Sequence, residues 1–178
     1  MMTETEQKMS SAARKVFELF IRNGWTLALA ESCTGGMIAE KITDIPGSSE
    51  MFGYGLVSYS DEVKEEYLGV DRETVGKLTT VSAEVAVQMA EGARKNGRAD
   101  YAAAVTGIAG PGVGGYIGKE VGLVYISVSG GKGTIVRECH FGSSLSRKEI
   151  REKTCITALE MVWEFSQGMT VDDAVRTR

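Results

Sequence analysis

The sequence holds very little histidine and cysteine, and these shortages exclude several kinds of chemistry. His140 is the only histidine among 178 residues, so a Ser-His-Asp or Cys-His mechanism would have to use it. The three cysteines, Cys33, Cys139 and Cys155, lie far apart and form no Cys-x-x-Cys pair. This spacing matches neither a zinc site nor a disulfide framework. We therefore expect a reduced, cytoplasmic protein that binds no metal.

Long apolar runs and an excess of basic residues are also missing. No apolar run approaches the ~18 residues that a membrane span requires, and the N-terminal residues are polar and acidic. We therefore expect neither a membrane segment nor a signal peptide. The chain carries 20 basic and 24 acidic residues, giving a net charge of −4 and a pI near 5.2. Because nucleic-acid-binding proteins usually present a basic face, we expect no nucleic-acid partner.

The hydrophobic pattern predicts an α/β fold. A chain of 178 residues with 43% hydrophobic residues suits one domain, with its core over residues 10–166 and a frayed tail at 167–178. Helices alternate with the early strands, and a glycine-containing hairpin comes late, which predicts a single three-layer α/β/α domain with a mixed central sheet. The pattern predicts helices at 10–23, 35–43, 61–68, 83–96 and 146–166, and strands at 26–31, 53–60, 101–106, 122–129 and 134–141.

The segment 30–36, of sequence AESCTGG, joins the first predicted strand to the helix at 35–43. A strand that ends on hydroxyls and glycines before a helix presents backbone N–H groups and a positive dipole end, which suits a phosphate. Ser32 is then a candidate nucleophile, and Thr34 and Gly35 are candidate ligand-binding residues. The alternative is an ordinary turn in which Ser32 or Thr34 caps the helix.

A second strand ends in the same way, at Thr106 and Gly107, and leads into a loop with five glycines in residues 107–115, Gly110 among them. Such a loop can bring its backbone close to a ligand. It matches neither the Walker pattern nor the dinucleotide-binding pattern. Arg147 opens the last predicted helix, where it could bind a phosphate or carboxylate, or belong to a solvated run of charges.

A nucleophilic serine needs a base, and Lys64 is the stronger candidate because His140 has no obvious aspartate partner. Lys64 lies five residues after Tyr59, one helical turn beyond a strand end, so both side chains could face one cleft. Burial would lower the pKa of the lysine toward neutrality. The alternative is a solvated Lys64 paired with Asp61 or Glu65, with Tyr59 in the core.

Taken together, these segments resemble the C-terminal domain of the CinA (competence/damage-inducible) family, the nicotinamide-nucleotide amidase family. The resemblance extends from about residue 10 to residue 166, and the combination of ESCTGG with VTGIAGP is highly specific. The segments that carry it are, in order, ESCTGG at 31–36, PGSS at 46–49, YSDEVK at 59–64, VS at 81–82, VTGIAGP at 105–111 and VGLVY at 121–125.

The resemblance implies a metal-free and cofactor-free hydrolysis of nicotinamide mononucleotide to nicotinate mononucleotide and ammonia, in salvage of NAD. We hypothesise that a neutral Lys64 activates Ser49, that Ser32 relays the proton or attacks instead, and that Tyr59 orients the lysine. Backbone N–H groups near 32–36 or 48–49 would receive the oxyanion. The catalytic residues implied are Ser32, Ser49, Tyr59 and Lys64, and the substrate-binding residues are Thr34, Gly35, Thr106, Gly107, Gly110 and Arg147.

The chain departs from the family pattern at two places on the expected nucleotide side. Glu120 replaces the proline of a Lys-Pro-Val-Gly segment, and residues 142–147 are longer than the usual Gly-Asp-Arg and lack the aspartate. These changes leave a second hypothesis open, a non-catalytic nucleotide-binding or regulatory module. The expected partner is a small nucleotide, and the apolar helices could support a homo-oligomer, although nothing in the sequence specifies one.

Overall fold

Six strands form an open sheet that is parallel on one side and antiparallel on the other. The computed structural model describes residues 2–169 and 174–177. The order across the sheet is β2-β1-β3-β4-β5-β6; the first three strands are parallel, and each later strand runs antiparallel to its neighbour. The strands are β1 (Leu27–Glu31), β2 (Phe52–Val57), β3 (Tyr101–Gly107), β4 (Leu123–Gly130), β5 (Gly133–His140) and β6 (Ala174–Thr177).

Six α-helices lie on the two faces of the sheet. They are α1 (Glu4–Asn23), α2 (Met37–Thr43), α3 (Asp61–Leu68), α4 (Arg72–Leu78), α5 (Ala83–Gly97) and α6 (Arg147–Ser166), and a 3-10 turn spans Ser48–Glu50. On one face α6 packs on β3 and β4 and contacts α1 and α2; on the other face α5 crosses β1 to β5 and contacts α3 and α4. The predicted three-layer α/β/α fold with a mixed sheet is confirmed.

Alternation along β1 sorts its side chains between the two helical layers. Leu27 and Leu29 pack on the α1/α6 side, whereas Ala28 and Ala30 pack under α5. The small alanines allow α5 to lie close to the sheet. At Gly92 of α5 a Cβ atom would stand 1.9 Å from the carbonyl oxygen of Leu68, so only glycine fits this crossing.

The structure corrects two helix predictions. The helix predicted at 10–23 begins at Glu4, because Thr3 and Glu6 form a reciprocal capping box there. Helix α4 was not predicted, and none of its residues is buried. An exposed helix has no apolar stripe from which periodicity could reveal it.

The tail prediction is wrong for residues 174–177. These residues form β6, which pairs with β5 from Thr134 to Arg137. The outer edge of β5 offers unpaired N–H and C=O groups, and an extended segment satisfies them. Residues 170–173 and 178, also covered by that prediction, lie outside the described residues.

The turn from β1 to α2 is held by a buried carboxylate. Glu31, the last residue of β1, accepts hydrogen bonds from the backbone N–H groups of Gly36 (3.0 Å), Ile38 (3.1 Å) and Ala39 (2.8 Å). Gly36 is the N-cap residue of α2 and offers no side chain, so Glu31 replaces the usual capping hydroxyl. The strand end and the helix start are thereby fixed to each other.

We expect Glu31→Gln to destabilise the fold by about 2 kcal/mol, because the amide loses the negative charge that these three N–H groups bind. Urea unfolding of the purified protein measures the change. Glu66→Gln, at an exposed position of α3, is the matched control and should change the free energy of unfolding by less than about 0.5 kcal/mol. Equal effects of the two substitutions would contradict a capping role for Glu31.

Candidate functional site

A cavity of about 250 Å³ opens at the carboxyl edge of the parallel strands. Ser32 and Cys33 follow β1, Tyr59 follows β2, and the glycine loop follows β3. Because the three strands are parallel, their carboxyl ends place these segments side by side, where ligands of such sheets usually bind. The lining residues are Ser32, Cys33, Tyr59, Gly107, Ile108, Ala109, Gly110, Gly112, Val113, Gly114, Tyr116 and Arg147.

Arg147 spans the cavity and is the only charged side chain among the described residues that line it. Its Nη1 donates to the Gly110 carbonyl at 2.7 Å, and its Nη2 donates to the Tyr59 hydroxyl at 2.6 Å. Ser146 caps α6 through a capping box with Glu149, which fixes the helix start that carries the arginine. The cavity therefore has a positive charge and no negative one, which suits an anionic ligand.

Lys64 is buried to 2% exposure, which excludes the solvated alternative, and it does not itself line the cavity. Its Nζ donates to the carbonyl oxygens of Ser58 (2.9 Å) and Ser60 (3.4 Å) and forms no salt bridge with Asp61 or Glu65 among the described residues. Burial lowers the pKa of Lys64, and nearby acidic groups only partly oppose that shift. The alternative that places Tyr59 in the core is wrong too, since this side chain is 59% exposed.

Ser32 is half-buried and lines the cavity, and its hydroxyl makes no hydrogen bond within the described part of the chain. Its backbone N–H donates to the Val105 carbonyl at 3.1 Å, which anchors the residue to β3. The backbone N–H groups of Ala109 and Gly110, on the facing loop, also lack partners among the described residues. The lining thus includes a free hydroxyl and residues whose backbone N–H groups are not bonded within the described part of the chain.

Cys33 lines the same cavity but is nearly inaccessible, with 6% exposure. Burial raises the pKa of this thiol to about 12. A thiol that remains protonated at neutral pH is a weak nucleophile. The cysteine therefore contributes shape rather than reactivity.

Three of the predicted binding residues line the cavity, namely Gly107, Gly110 and Arg147. Three others lie outside the lining. The Thr106 hydroxyl is buried and donates to the Thr80 carbonyl at 2.7 Å. The Thr34 hydroxyl is also buried, but it has no partner among the described residues. Gly35 is exposed and adopts a φ of +61°.

Ser49 lies at the other edge of the sheet. It is exposed in the 3-10 turn before β2, and the neighbouring Met51 carbonyl accepts from the N–H of Leu27, at the start of β1. The six residues of β2, roughly 20 Å when extended, separate this turn from Lys64. The hypothesised pairing of Lys64 with Ser49 is therefore not formed within this chain.

The start of α2 also differs from the prediction. The N–H groups of Gly36, Ile38 and Ala39 were expected to be open to a phosphate, but the carboxylate of Glu31 occupies them. Neither Ser32 nor Thr34 caps the helix. A negative group already satisfies this helix end, so the phosphate site predicted there is not available.

Glu120, one of the two departures from the family pattern, binds the only histidine. His140 stands at the end of β5, where Nδ1 contacts Glu120 and Nε2 contacts Glu138, both at 2.7 Å. A ring that donates to two carboxylates must carry both protons, and these bonds raise the pKa of His140. The adjacent Lys119 donates to the carbonyls of Leu78 and Val81, so the segment that follows the glycine loop is anchored.

Two contributors to the site were missed in the sequence. Arg151 donates from Nε and Nη2 to the Thr34 carbonyl, at 3.2 and 2.7 Å. Its spacing of four residues from Arg147 places both on one helix face, a signal that was available. The Tyr116 hydroxyl pairs with the Thr80 hydroxyl at 2.8 Å, a contact that sequence spacing could not reveal.

Residues 2–169 and 174–177 hold neither a metal-binding cluster nor a membrane-spanning helix. No group of three His, Cys, Asp or Glu side chains is placed to hold a metal ion. No helix in these ranges is both long and apolar enough to cross a bilayer.

The fold and the cavity define a three-layer α/β protein with a polar site at the carboxyl ends of its parallel strands. Residues 9–166 match the family model for the CinA C-terminal domain. The chain belongs to this family, which confirms the resemblance seen in the sequence.

Curated relatives and solved structures agree with this assignment. A CinA-like protein of Geobacter sulfurreducens is 49% identical over 145 residues, 82% of this chain and 34% of that protein. The competence/damage inducible protein CihA of Agrobacterium tumefaciens is 43% identical, with a TM-score of 0.83 over 87% of this chain and 93% of that one. The competence damage-inducible protein A of Klebsiella pneumoniae is 29% identical, with a TM-score of 0.85 over 91% and 99%. The chain spans about a third of the length of the curated relatives it matches.

Thr34→Val and Thr106→Val should have opposite effects on stability, although both positions are buried. The Thr34 hydroxyl has no partner among the described residues, so its removal should leave the free energy of unfolding unchanged or raise it. Thr106→Val strips the Thr80 carbonyl of its donor and should cost about 1–3 kcal/mol. Urea unfolding of the two variants tests this pair, and an equal loss in both would contradict the assignment.

His140 should titrate above the ordinary histidine pKa of about 6.5. Because the folded-state pKa is raised, the two contacts stabilise the fold fully below pH ~6.5, and this contribution is lost as pH rises through the folded-state pKa. The single histidine gives one ring signal to follow by NMR. Glu120→Gln and Glu138→Gln should each lower its midpoint, and a wild-type midpoint at or below 6.5 would refute the arrangement.

Proposed function

We propose that this chain hydrolyses the carboxamide of nicotinamide mononucleotide, releasing ammonia and nicotinate mononucleotide, with Ser32 as the nucleophile and Lys64 as the base. The observation that carries the proposal is the burial of Lys64 without a carboxylate partner, bound to the carbonyls on either side of Tyr59, which lines the cavity. A binding module has no need of a buried amine there, whereas a hydrolase without a suitable histidine does.

The contacts of Lys64 suit a neutral amine. A neutral amine has two N–H bonds and one lone pair, and the Ser58 and Ser60 carbonyls take the two N–H bonds. The lone pair is then left to accept a proton. The backbone N–H of Ser58 donates to the Glu31 carbonyl at 2.8 Å, so the lysine is tied to the residue that precedes Ser32.

The remaining lining supplies the other requirements of amide hydrolysis. The N–H groups of Ala109 and Gly110 can receive the oxyanion, which replaces our earlier expectation of donors at 32–36 or 48–49. Arg147 can bind the phosphate, and Tyr59, which is hydrogen-bonded to Arg147, orients that arginine rather than the lysine.

The reaction then proceeds in two stages. Ser32 Oγ attacks the carboxamide carbon while its proton passes to Lys64, and the resulting intermediate expels ammonia with that proton. Water, deprotonated by Lys64, next attacks the acyl-Ser32 ester. The ester bond then breaks, Ser32 Oγ takes the proton back from Lys64, and nicotinate mononucleotide is released.

A nucleotide-binding module without catalysis is the second candidate, and the observation that favours it is Glu120. The family's proline is replaced here by a residue whose side chain is held by His140. This contact holds the segment that follows the glycine loop, so the change concerns ligand binding rather than the hydrolytic residues.

Ammonia release from nicotinamide mononucleotide tests the proposal, with nicotinamide riboside as the substrate that lacks a phosphate. Ser32→Ala and Lys64→Met should each lower kcat by about 10²–10⁴. Ser49→Ala is the matched serine control and should retain the wild-type rate. For the wild type, kcat/KM should rise with pH with a midpoint below the ordinary lysine pKa of about 10.4.

The outcomes separate the two candidates. A folded wild type that binds the nucleotide by calorimetry but releases no ammonia would establish the binding module. Loss of activity in Ser49→Ala, with full activity in Ser32→Ala, would move the nucleophile to Ser49 and require a second copy of the chain at the site.

A further inference from the structure

Two arginines one helical turn apart hold three separate segments at the start of α6. Arg147 binds the Tyr59 hydroxyl and the Gly110 carbonyl, both at the cavity. Arg151, one turn further, does not line the cavity and donates twice to the Thr34 carbonyl. Arg147 therefore contacts the lining of the cavity, whereas Arg151 contacts the backbone outside it.

The segment 32–36 has few other restraints from outside. Ser32 N–H reaches β3 through the Val105 carbonyl, and Gly36 N–H binds Glu31 within the same turn. The Thr34 hydroxyl anchors nothing in the described part of the chain. Within residues 2–169 and 174–177, Arg151 is the side chain from a distant element that hydrogen-bonds this segment.

We propose that Arg151 is a positioning residue, which holds the Ser32-Cys33-Thr34 segment against the cavity through the Thr34 carbonyl. The expected effect of Arg151 on catalysis rests on the proposed function, whereas the restraint on the segment does not. Arg151 touches the backbone two residues from Ser32 and does not touch the cavity. Its loss should therefore misplace the nucleophile while leaving the binding residues Arg147 and Tyr59 in place.

The geometry favours arginine over lysine. Nε and Nη2 both point at one carbonyl oxygen, at 3.2 and 2.7 Å, so the guanidinium is fixed in orientation as well as distance. Gly35 lies against the guanidinium, since a Cβ atom there would make an ordinary contact with Nη2 at 3.6 Å. A lysine offers a single flexible ammonium and should restore only part of the restraint.

Alkylation of Cys33 by iodoacetamide, followed by peptide mass spectrometry, measures the restraint without any substrate. Cys33 lies in the segment and is nearly inaccessible, and Cys155, fully buried on α6, reports global unfolding in the same sample. Arg151→Met should speed the labelling of Cys33 by about tenfold, as expected when a charge-assisted hydrogen bond is lost, and leave Cys155 unchanged. The charge of Arg151 has the opposite effect, because a nearby positive charge favours the reactive thiolate of Cys33. If Arg151→Met removed only that charge, the labelling of Cys33 would become slower.

Steady-state kinetics on nicotinamide mononucleotide measure the catalytic consequence. Arg151→Met should lower kcat about ten- to a hundredfold with little change in KM, and Arg151→Lys should lie between this variant and the wild type. Lys153→Met, which removes an exposed cation from the same helix, should match the wild type in both assays.

Each outcome decides a specific point. Unchanged labelling of Cys33 in Arg151→Met would overturn the proposal, whether or not the wild type is an amidase. Faster labelling of Cys33 and Cys155 together would assign Arg151 to global stability and would also overturn it. If Arg151→Met speeds the labelling of Cys33 alone and the wild type shows no amidase activity, the restraint is supported and only the proposed function is refuted.

Discussion

The carboxylate of Glu31 is the constraint on which the site depends. It closes the turn between β1 and α2 by binding three backbone N–H groups, and it does so from within the core. A helix start that would otherwise attract a phosphate is thereby satisfied by the chain itself. The positive charge of the cavity comes instead from α6, through Arg147.

Parallel pairing of β1, β2 and β3 explains which residues meet. Segments that follow these strands converge at one edge, so Ser32, Tyr59 and the glycine loop share a cavity. A segment that precedes a strand lies at the other edge, and Ser49 is such a residue. Two serines that lie 17 positions apart in the sequence are therefore separated by the full length of a strand.

Much of the fold could be predicted from the sequence, because its signals are local. Ser60, Ser82 and Ser146 cap helices, a local preference of serine before a helix, and the strands follow their apolar patterns. The burial of Lys64 could not be predicted, since α3 is a short helix in which a solvated lysine fits the pattern equally well. Three further features required the tertiary structure, because sequence periodicity does not relate the groups concerned. They are the cap formed by Glu31, the position of Ser49 at the opposite edge of the sheet, and the pairing of β6 with β5.

The environment of Lys64 connects the fold to the chemistry. A buried ammonium that was paired with a carboxylate would keep its proton, because the opposite charge favours the charged form. Here the described partners are two backbone carbonyls, which also accept bonds from a neutral amine, while burial disfavours the charge. The parallel edge that assembles the cavity thus also buries a lysine in surroundings that disfavour its charge, as the proposed base requires. Arg147 and Arg151 contact different parts of the same edge, the first the lining of the cavity and the second the Thr34 carbonyl, two residues after Ser32.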